Sequence, residues 1–250
     1  MRVAIDTGGT FTDCVYLFDG RLHVLKLLST PADPSLAVLD ALKKIQQAHQ
    51  QKDLAAEGYE VRHGTTVGTN AMLERKGARV AFVTTAGFED TIAIGRQTRA
   101  KLYDWFAAVP VCIVPGELRF GVHERVTAEA EILRSPTEEE LQALAEAVRK
   151  SGAESIAISF LFSFARPESE QRTAQVLSRL NLPISISHRI LPEFREYERA
   201  STVVINAYLA PKMQHYLHHL EEQVTTQFHS SRVDVMQSSG GIVPAKLAAD

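Results

Sequence analysis

The sequence contains little that would indicate a secreted, metal-binding or membrane protein. Only two of its 250 residues are cysteines. They are Cys14 and Cys112, and their wide separation matches neither a zinc-ligand spacing nor a disulfide framework. No apolar run reaches the 18 residues of a candidate membrane span, and no signal-peptide segment precedes Asp6. We therefore expect a protein of the reducing cytoplasm that has no membrane partner.

Blocks of like charge are also absent. The formal net charge is −3, from 27 basic and 30 acidic side chains. Because nucleic-acid binding requires clustered Lys and Arg, we expect no nucleic acid as a partner. His215, His218 and His219 lie together on a predicted helix, but no glutamate completes a metalloprotease signature. Exposed helical histidines are the favoured interpretation.

What the sequence does contain begins with an N-terminal β-meander. Val3 to Ile5 is a short apolar strand, and Gly8-Gly9 turns the chain into a second strand from Cys14 to Phe18. Asp19-Gly20 is a strong two-residue hairpin signal, after which Leu22 to Leu27 forms a third strand.

Helices and strands alternate beyond the meander. Asp33 caps a helix, and strands at Val61–His63 and Val80–Thr84 flank another helix at Asn70–Lys76, with Gly77 at its end. The later elements are a capping box from Ser135 to Glu138 with Gly152 ending its helix, a strand at Ile156–Phe162, a helix after Pro167, a strand at Ile184–Ile186, a helix from Tyr197 to Gln227 broken near Pro211, and a strand at Val233–Met236. This order predicts an α/β fold with a mixed sheet covered by helices.

The sharpest chemical motif is Asp6-Thr7-Gly8-Gly9-Thr10-Phe11-Thr12-Asp13, at the end of the first strand. Glycines let the backbone approach a ligand, and its N–H groups can face an anion. Asp6 is a candidate catalytic residue that can hold a metal ion through water. A strand follows the motif and no Gly-Lys-Ser/Thr does, which excludes a dinucleotide fingerprint and a P-loop. The alternative is a tight hairpin with incidental threonines. The predicted phosphate-binding positions are Gly8, Gly9, Thr10, Thr12 and Asp13.

Two further loops are candidates for ligand binding. In the segment from His63 to Asn70, the polar groups of Thr65, Thr66 and Asn70 cluster at a helix start, where anions are favoured. His63 is a candidate catalytic base, and a helix cap with a spare histidine is the alternative. The loop with Ser238, Gly240 and Gly241 follows a strand, as ligand loops do in α/β sheets, and a plain turn is the alternative.

Charged side chains near the middle of the sequence give weaker signals. Arg96 has the fork geometry for a carboxylate or phosphate, although a solvated loop arginine is the favoured interpretation. Arg195, Glu198 and Arg199 alternate in charge at helical spacing, which favours a salt-bridged helix face or a contact between lobes.

Six ordered segments together resemble the hydantoinase A/5-oxoprolinase family, and the first hairpin resembles that of the actin-like ATPase superfamily. Beyond the hairpin, the matching segments are residues 63–71, 83–88, 94–97, 191–199, 206–209 and 236–241. The resemblance implies an actin-like ATPase (ribonuclease H-like) lobe, with a hydantoinase/oxoprolinase N-terminal domain at residues 1–190 and the start of a hydantoinase A domain at 191–250. Ser239 stands where relatives more often have Asn.

The resemblance also implies an activity. Family members use ATP and Mg²⁺ to open cyclic amides such as hydantoins or 5-oxoproline, and they work with a hydantoinase B-type subunit. The alternatives are a subunit of an ATP-dependent ketone carboxylase and a non-catalytic truncated homologue. Because the family's second Gly-Gly-Thr hairpin is expected beyond Asp250, we expect these 250 residues alone to open no ring.

Overall fold

The chain folds into two compact units. The computed structural model describes residues 1–49, 58–97, 103, 106 and 111–249. Unit 1 comprises Met1–Lys76 and Lys212–Asp250, and unit 2 comprises Gly77–Pro211. Each unit contains its own sheet and its own hydrophobic cluster. The mixed α/β fold that the sequence predicts is confirmed, although the described residues form sheets of six, four and two strands where one sheet was expected.

Unit 1 is built on a six-stranded mixed sheet. Its strands are β1 (Arg2–Thr7), β2 (Phe11–Phe18), β3 (Arg21–Leu28), β4 (Glu60–Thr65), β11 (Arg232–Met236) and β12 (Ile242–Pro244). They lie in the order β12-β11-β4-β1-β2-β3. The predicted meander is confirmed, since β1 pairs antiparallel with β2 and β2 with β3, whereas β1, β4 and β11 are parallel neighbours.

The core of unit 1 lies on one face of this sheet. Alternate residues of β1 and β2 are buried, as the period of two requires. Helix α1 (Ser35–Ala48) buries Val38, Leu42 and Ile45 in the same cluster as the second half of a long C-terminal helix. Pro34 is the N-cap residue of α1 in place of the predicted Asp33, whose carboxylate nevertheless accepts the N–H of Ser35 at 3.1 Å.

Helix α2 begins three residues earlier than predicted, at Val67, and ends at Leu73. The residue that ends it is Arg75, whose φ of 56° lies in the left-handed region, and the N–H of Lys76 returns to the carbonyl of Ala71. The predicted role of Gly77 as the helix end is therefore wrong. In unit 2, a Cβ on Gly77 would lie 2.1 Å from Cε1 of Tyr208, so glycine allows the aromatic ring to pack there.

Unit 2 is built on a parallel sheet. Its strands β5 (Val80–Thr85), β6 (Arg119–Val122), β9 (Ser155–Ser159) and β10 (Ile184–Ile186) lie in the order β10-β9-β5-β6. The remaining elements of unit 2 are the pair β7 (Arg125–Val126) and β8 (Ile132–Arg134), helices α3 (Thr91–Ile94), α4 (Glu138–Lys150), α5 (Glu168–Leu177) and α6 (Ser187–Ile190), and 3₁₀ turns at Gly116–Leu118 and Ser178–Leu180. Every residue of β5 and β9 is buried, as expected for parallel strands covered on both faces.

Two boundaries in unit 2 differ from the prediction. The capping box of α4 uses Thr137 and Glu140, so the predicted box from Ser135 to Glu138 is displaced by two residues. Strand β9 ends at Ser159, short of the predicted Phe162, because side chains take over the next backbone N–H groups. Gly152, with a φ of 68°, follows α4 as predicted.

Helix α7 (Glu196–Gln227) is continuous, so the predicted break at Pro211 is wrong. Proline removes the N–H that would bond to the carbonyl of Ala207. Ser155 Oγ donates to that carbonyl at 2.7 Å and so replaces the missing bond. A short helix α8 (Ala245–Ala249) ends the described chain. Among the described residues, no helix has the length and apolarity to cross a membrane.

Candidate functional site

The candidate site lies along one edge of the sheet of unit 1. Because β1, β4 and β11 are parallel, their carboxyl ends share that edge. The β1–β2 hairpin tip, the β4–α2 loop and the β11–β12 turn follow these ends. Neighbouring strands lie about 4.8 Å apart, so these three predicted loops span roughly 10 Å of backbone. The topology thus brings all of them to one edge.

The tip of the first hairpin offers free backbone donors. The N–H of Gly8 bonds to Phe11 O at 3.0 Å and closes the turn. Gly9 and Thr10 are exposed, and within the described part of the chain their N–H groups donate to no protein acceptor. A Cβ on Gly8 would lie 3.2 Å from Phe11 O, so a side chain there would crowd the turn. The tip can therefore present two N–H groups and the Thr10 hydroxyl to an anion.

The β4–α2 loop packs directly against this tip. Thr66 donates to the carbonyl of Thr7 from its N–H at 3.2 Å and its Oγ1 at 3.4 Å. Asn70 Nδ2 donates to Thr66 Oγ1 at 3.3 Å, and it lies 3.7 Å from the position of a Cβ on Gly9. The structure therefore brings the predicted residues Thr66 and Asn70 to the hairpin.

Asp6 lies on the exposed face of the sheet, opposite Asp13 in register. Asp13 forms an ion pair with Lys26 at 2.9 Å, whereas Asp6 has no such pair with any described cation. A Cβ on Gly64 would lie 3.0 Å from Asp6 Oδ1, so glycine leaves room for that carboxylate. Lys26 was missed in the sequence, although counting back from the Asp19-Gly20 turn pairs it with Asp13.

This edge fits a nucleotide-bound Mg²⁺ better than a metal held by protein alone. No group of three His, Cys, Asp or Glu able to hold a metal occurs among the described residues. Mg²⁺, however, commonly keeps several waters and binds through one or two carboxylates together with substrate phosphates. Asp6 and Asp13 supply two adjacent carboxylates of which only one has a cationic partner, beside free N–H donors for phosphate oxygens.

Two threonines of the hairpin motif point into unit 1. Thr12 is fully buried, and its Oγ1 hydrogen-bonds Ser29 Oγ at 2.9 Å. This bond braces the base of the hairpin, so Thr10 provides the exposed hydroxyl. Thr7 is 2% exposed, and its Oγ1 has no hydrogen-bond partner among the described residues. Such orphaned groups are rare and occur where water or a ligand completes the site.

His63 lies in the core and apart from the exposed groups. Its Nδ1 is 3.3 Å from Ile5 O, and its Nε2 is 2.6 Å from the Tyr216 hydroxyl. A carbonyl only accepts, so these partners assign the proton to Nδ1 and leave Nε2 to accept from Tyr216. Burial lowers the pKa of His63 to about 4, so the ring is neutral at pH 7.

This buried chain of hydrogen bonds continues to the candidate loop. Burial raises the pKa of Tyr216 and the nearby Thr65 side chain opposes this shift, and Thr65 Oγ1 accepts the N–H of Val67 at 3.2 Å. Thr65 therefore links the core to the loop and does not join the exposed cluster. The geometry gives His63 and Tyr216 the means to position the β4–α2 loop against β1.

The β11–β12 turn has the form of a tight hairpin. Gln237 N–H donates to Gly241 O at 2.8 Å, and Gly240 N–H donates to Gln237 O at 2.9 Å. Gly240 has a φ of 87°, a conformation that favours glycine. Ser238 is exposed. The described contacts join this turn to neither of the other loops, so its predicted ligand contacts through Ser238, Gly240 and Gly241 rest on its place at the edge.

The weaker candidates lie elsewhere. Arg96 pairs with Glu198 in unit 2, where its Nε lies 2.6 Å from Glu198 Oε1. Arg199 forms the helical ion pair that the sequence predicted, with Glu196, but its side chain is fully buried. His215 and His218 are exposed, as the interpretation of exposed helical histidines expects, whereas His219 is half-buried and lies 3.5 Å from Asp33. Both cysteines are free, as expected.

Known proteins provide a comparison for this arrangement. An uncharacterized protein of Methanocaldococcus jannaschii is 38% identical over 256 residues, which cover 100% of this chain and 37% of that protein. Caprolactamase subunit alpha of Pseudomonas jessenii is 32% identical and is matched over 97% of this chain and 36% of its own length. Acetophenone carboxylase gamma subunit of Aromatoleum aromaticum is 29% identical over 96% of this chain and 35% of its own.

A solved structure extends the agreement to three dimensions. The crystal structure of ATP-dependent caprolactamase from Pseudomonas jessenii superimposes with a TM-score of 0.87 at 31% identity, over 98% of this chain and 36% of that one. The chain thus spans little more than a third of the length of these proteins. The family profile "Hydantoinase/oxoprolinase N-terminal region" matches residues 2–180, and "Hydantoinase/oxoprolinase" matches residues 199–250. The chain belongs to the hydantoinase/oxoprolinase family.

Proposed function

We propose that this chain supplies the phosphate-binding edge of an ATP-dependent enzyme that hydrolyses a cyclic amide. The observation that carries the proposal is the β1–β2 hairpin tip, close to the Asp6 carboxylate. There the N–H groups of Gly9 and Thr10 donate to no acceptor among the residues that the structure describes. The ATP-dependence of the related caprolactamase supports it. The cyclic amide is a hydantoin or 5-oxoproline.

Each group at this edge has a role in the proposal. Gly8 and Gly9 let the backbone approach the phosphates, and Thr10, Thr66 and Asn70 add side-chain donors. Asp6 holds Mg²⁺ through water, and Asp13 lies opposite it. When bound, ATP would supply the phosphoryl group that activates the amide oxygen. Water would add to the amide carbon, the ring C–N bond would break to leave an acyl phosphate, and a second water would hydrolyse it, so that the ring-opened acid, ADP and phosphate are released. The protein positions the phosphates and stabilises their charge.

His63 has a positioning role in this proposal. The sequence suggested a catalytic base, but the ring is fully buried and both of its nitrogens are hydrogen-bonded, so neither nitrogen is free to take a proton from a substrate. Together with Tyr216 and Thr65, it holds the β4–α2 loop at the distance from β1 that phosphate binding requires.

We propose further that a hydantoinase B-type subunit completes the reaction. Caprolactamase subunit alpha and the acetophenone carboxylase gamma subunit are each named as one subunit of a larger enzyme. The outer face of β2 and β3 supports a partner, because Leu22, Val24 and Leu28 are each more than 70% exposed there. Ring opening should require the complete assembly.

The test is the substitution Asp6→Asn in the complete assembly. It removes the charge while keeping the size, so we expect ATPase activity to fall by about 10²-fold or more with folding intact. The control is Asp40→Asn, which removes an exposed carboxylate of α1 that pairs with Lys44. Unchanged turnover in the Asp6 variant would reject the site.

A ketone carboxylase is the second candidate, because acetophenone carboxylase gamma subunit is similar over nearly the whole chain. A product assay separates the two activities. ATP-dependent release of a ring-opened acid supports the hydrolase, whereas carboxylated product that depends on bicarbonate supports the carboxylase.

A further inference from the structure

Unit 2 contains a cleft of about 520 Å³, lined by residues 95–97 and 195–198. Its first wall follows β5 in sequence. Its second wall, the start of α7, is tied to the segment after β9. The sheet order β10-β9-β5-β6 places β6 and β10 on opposite sides of the β5–β9 pair. The chain runs from β5 to β6 on one side of this pair and from β9 to β10 on the other side. Open parallel sheets bind ligands at the point where the chain connections diverge in this way.

The second wall is held rigidly by a buried arginine. Arg199 donates to Phe160 O at 2.6 Å and to Glu193 O at 2.8 Å, and it pairs with Glu196. Glu196 in turn accepts the N–H of Phe162 at 3.3 Å. The first turn of α7 is thus fixed to the carboxyl end of β9, as a preformed binding wall needs to be.

Most charged side chains at the cleft form ion pairs, and Arg195 is the exception. Glu198 pairs with Arg96, and Glu196 pairs with Arg199. Arg195 also lines the cleft, but it forms no ion pair within the part of the chain that the structure describes. Its guanidinium lies 5.6 Å from the centroid of the Phe194 ring, on which it can stack. Among the described residues that line the cleft, Arg195 is thus the cation without an ion-pair partner, and its charge also acts on the carboxylate of Glu198.

The backbone around the cleft is held in unusual conformations. Gln97 has a φ of 55° and Arg195 a φ of 78°, both in the left-handed region that non-glycine residues rarely adopt. Such conformations persist where the surrounding structure determines them, and they concentrate at ligand sites. At Arg195, this conformation directly precedes the anchored first turn of α7.

We propose that this cleft binds a small-molecule monocarboxylate through Arg195. The guanidinium fork matches a carboxylate with two parallel hydrogen bonds. The Arg96–Glu198 pair and the Glu196 carboxylate, which also line the cleft, supply donors and acceptors for the rest of the ligand. The cleft lies wholly in unit 2 and uses none of the residues of the hairpin edge, and as a site for a carboxylate-bearing cyclic amide it rests on the proposed function.

The test is calorimetric titration of the full chain without nucleotide, using two probes that share a ring and differ in one group. 5-Oxoproline carries a carboxylate, and 2-pyrrolidinone does not. We expect 5-oxoproline to bind at least about tenfold more tightly, since hydrogen bonds to charged groups contribute that much. Arg195→Gln should remove this preference, while Arg189→Gln, at an exposed arginine outside the cleft, should keep it.

Three results would overturn the proposal: equal binding of the two probes, a preference that survives Arg195→Gln, or tighter binding of inorganic phosphate than of 5-oxoproline. Because no nucleotide is present, failure of the phosphate-binding edge in unit 1 leaves the measurement unaffected. In an NMR titration, 5-oxoproline should change the chemical shifts of the Tyr197 ring. This change, if it is absent in the Arg195→Gln variant, would place the ligand in the cleft.

Discussion

The two units treat polar groups in opposite ways. Unit 1 exposes its carboxylates Asp6 and Asp13 at the edge of its sheet and buries a neutral pair, His63 with Tyr216. Unit 2 buries charge, with Glu170 and Arg199 fully inaccessible. An exposed edge with free donors is suited to exchange a charged ligand with solvent. A buried network is suited to hold loops in one conformation, because each unpaired charge there would be costly.

Glu170 shows how unit 2 uses its buried charge. Its carboxylate accepts the N–H of Phe160 at 2.8 Å, the Oγ of Ser187 at 2.6 Å and Nδ1 of His188 at 2.6 Å. These donors come from the ends of β9 and β10, so one side chain joins the carboxyl ends of two parallel strands. Together with Arg199, it sets the geometry on which the cleft of unit 2 depends.

The largest effect we expect is on the stability of unit 2. Arg199→Met removes the cation, leaving Glu196 and two carbonyl groups without their donor. Removal of one partner of a buried ion pair costs about 3–5 kcal/mol. Hydrogen exchange read by mass spectrometry should show peptides of β5 and β9 losing protection, while those of β1 and β4 lose less.

The matched control for this prediction is Arg189→Met, which changes an exposed arginine of the same unit. It should alter exchange by no more than about 0.5 kcal/mol. Equal protection in the two variants would mean that the buried Arg199 stabilises unit 2 no more than an exposed arginine does. The proposed difference in how the two units use charge would then be wrong for Arg199.

Local signals in the sequence predicted much of unit 1. The Asp19-Gly20 turn predicted the meander, whereas the parallel pairing of β1, β4 and β11, which places the three loops at one edge, is known only from the structure. The positioning role of His63 and Tyr216 could not be predicted, because a hydrogen bond between residues 153 positions apart leaves no local pattern. The site residues predicted from the hairpin stay predictions until ligand binding is measured.

Unit 2 was harder to predict because long-range contacts override its local signals. Pro211 reads as a helix break, but Ser155 supplies the bond that proline removes. Arg199 reads as a surface charge, since charged residues at helical spacing usually face solvent, yet it is fully buried. In each case the deciding partner lies about 40 or more residues away in sequence.

The contrast should also appear as opposite dependences on pH. Burial lowers the pKa of His63 from 6.5 to about 4, so its contribution to unit 1 is lost as pH falls from about 6.5 to 4. Burial raises the pKa of Glu124 from 4.5 to about 7, and the nearby carboxylates of Glu170 and Glu196 add to this. Its contribution to unit 2 is present below pH 4.5 and is lost as pH rises to about 7.

We expect the free energy of unfolding of each unit to change by about 1–3 kcal/mol between the two pKa values of its titrating group. Hydrogen exchange at pH 5 and 7, corrected for intrinsic rates, should report unit 1 as more stable at pH 7 and unit 2 as more stable at pH 5. His63→Gln should flatten the first slope and Glu124→Gln the second. Parallel slopes in the two units of the unaltered protein would contradict the assignment.

The smallest effect we expect comes from one hydroxyl group in unit 1. Tyr216→Phe leaves Nε2 of the buried His63 without a donor and removes the link to Thr65, at a cost of about 1–2 kcal/mol. The matched control is Tyr59→Phe in the same unit. Tyr59 is 1% exposed, and its hydroxyl has no hydrogen-bond partner among the described residues.

Removing the unpartnered hydroxyl of Tyr59 should leave stability unchanged or raise it, because a buried polar group without a partner is costly. Both substitutions delete the same atom from a buried ring, so the difference between their urea-unfolding free energies isolates the hydrogen bonds of Tyr216. If Tyr216 also positions the β4–α2 loop as we infer, Mg-ATP should bind more weakly to the complete assembly that carries Tyr216→Phe. The assembly that carries Tyr59→Phe should bind Mg-ATP as well as the unaltered protein does. Equal unfolding free energies for the two variants would show that the His63–Tyr216 chain contributes no net stability, leaving the exposed edge as the part of unit 1 on which nucleotide binding rests.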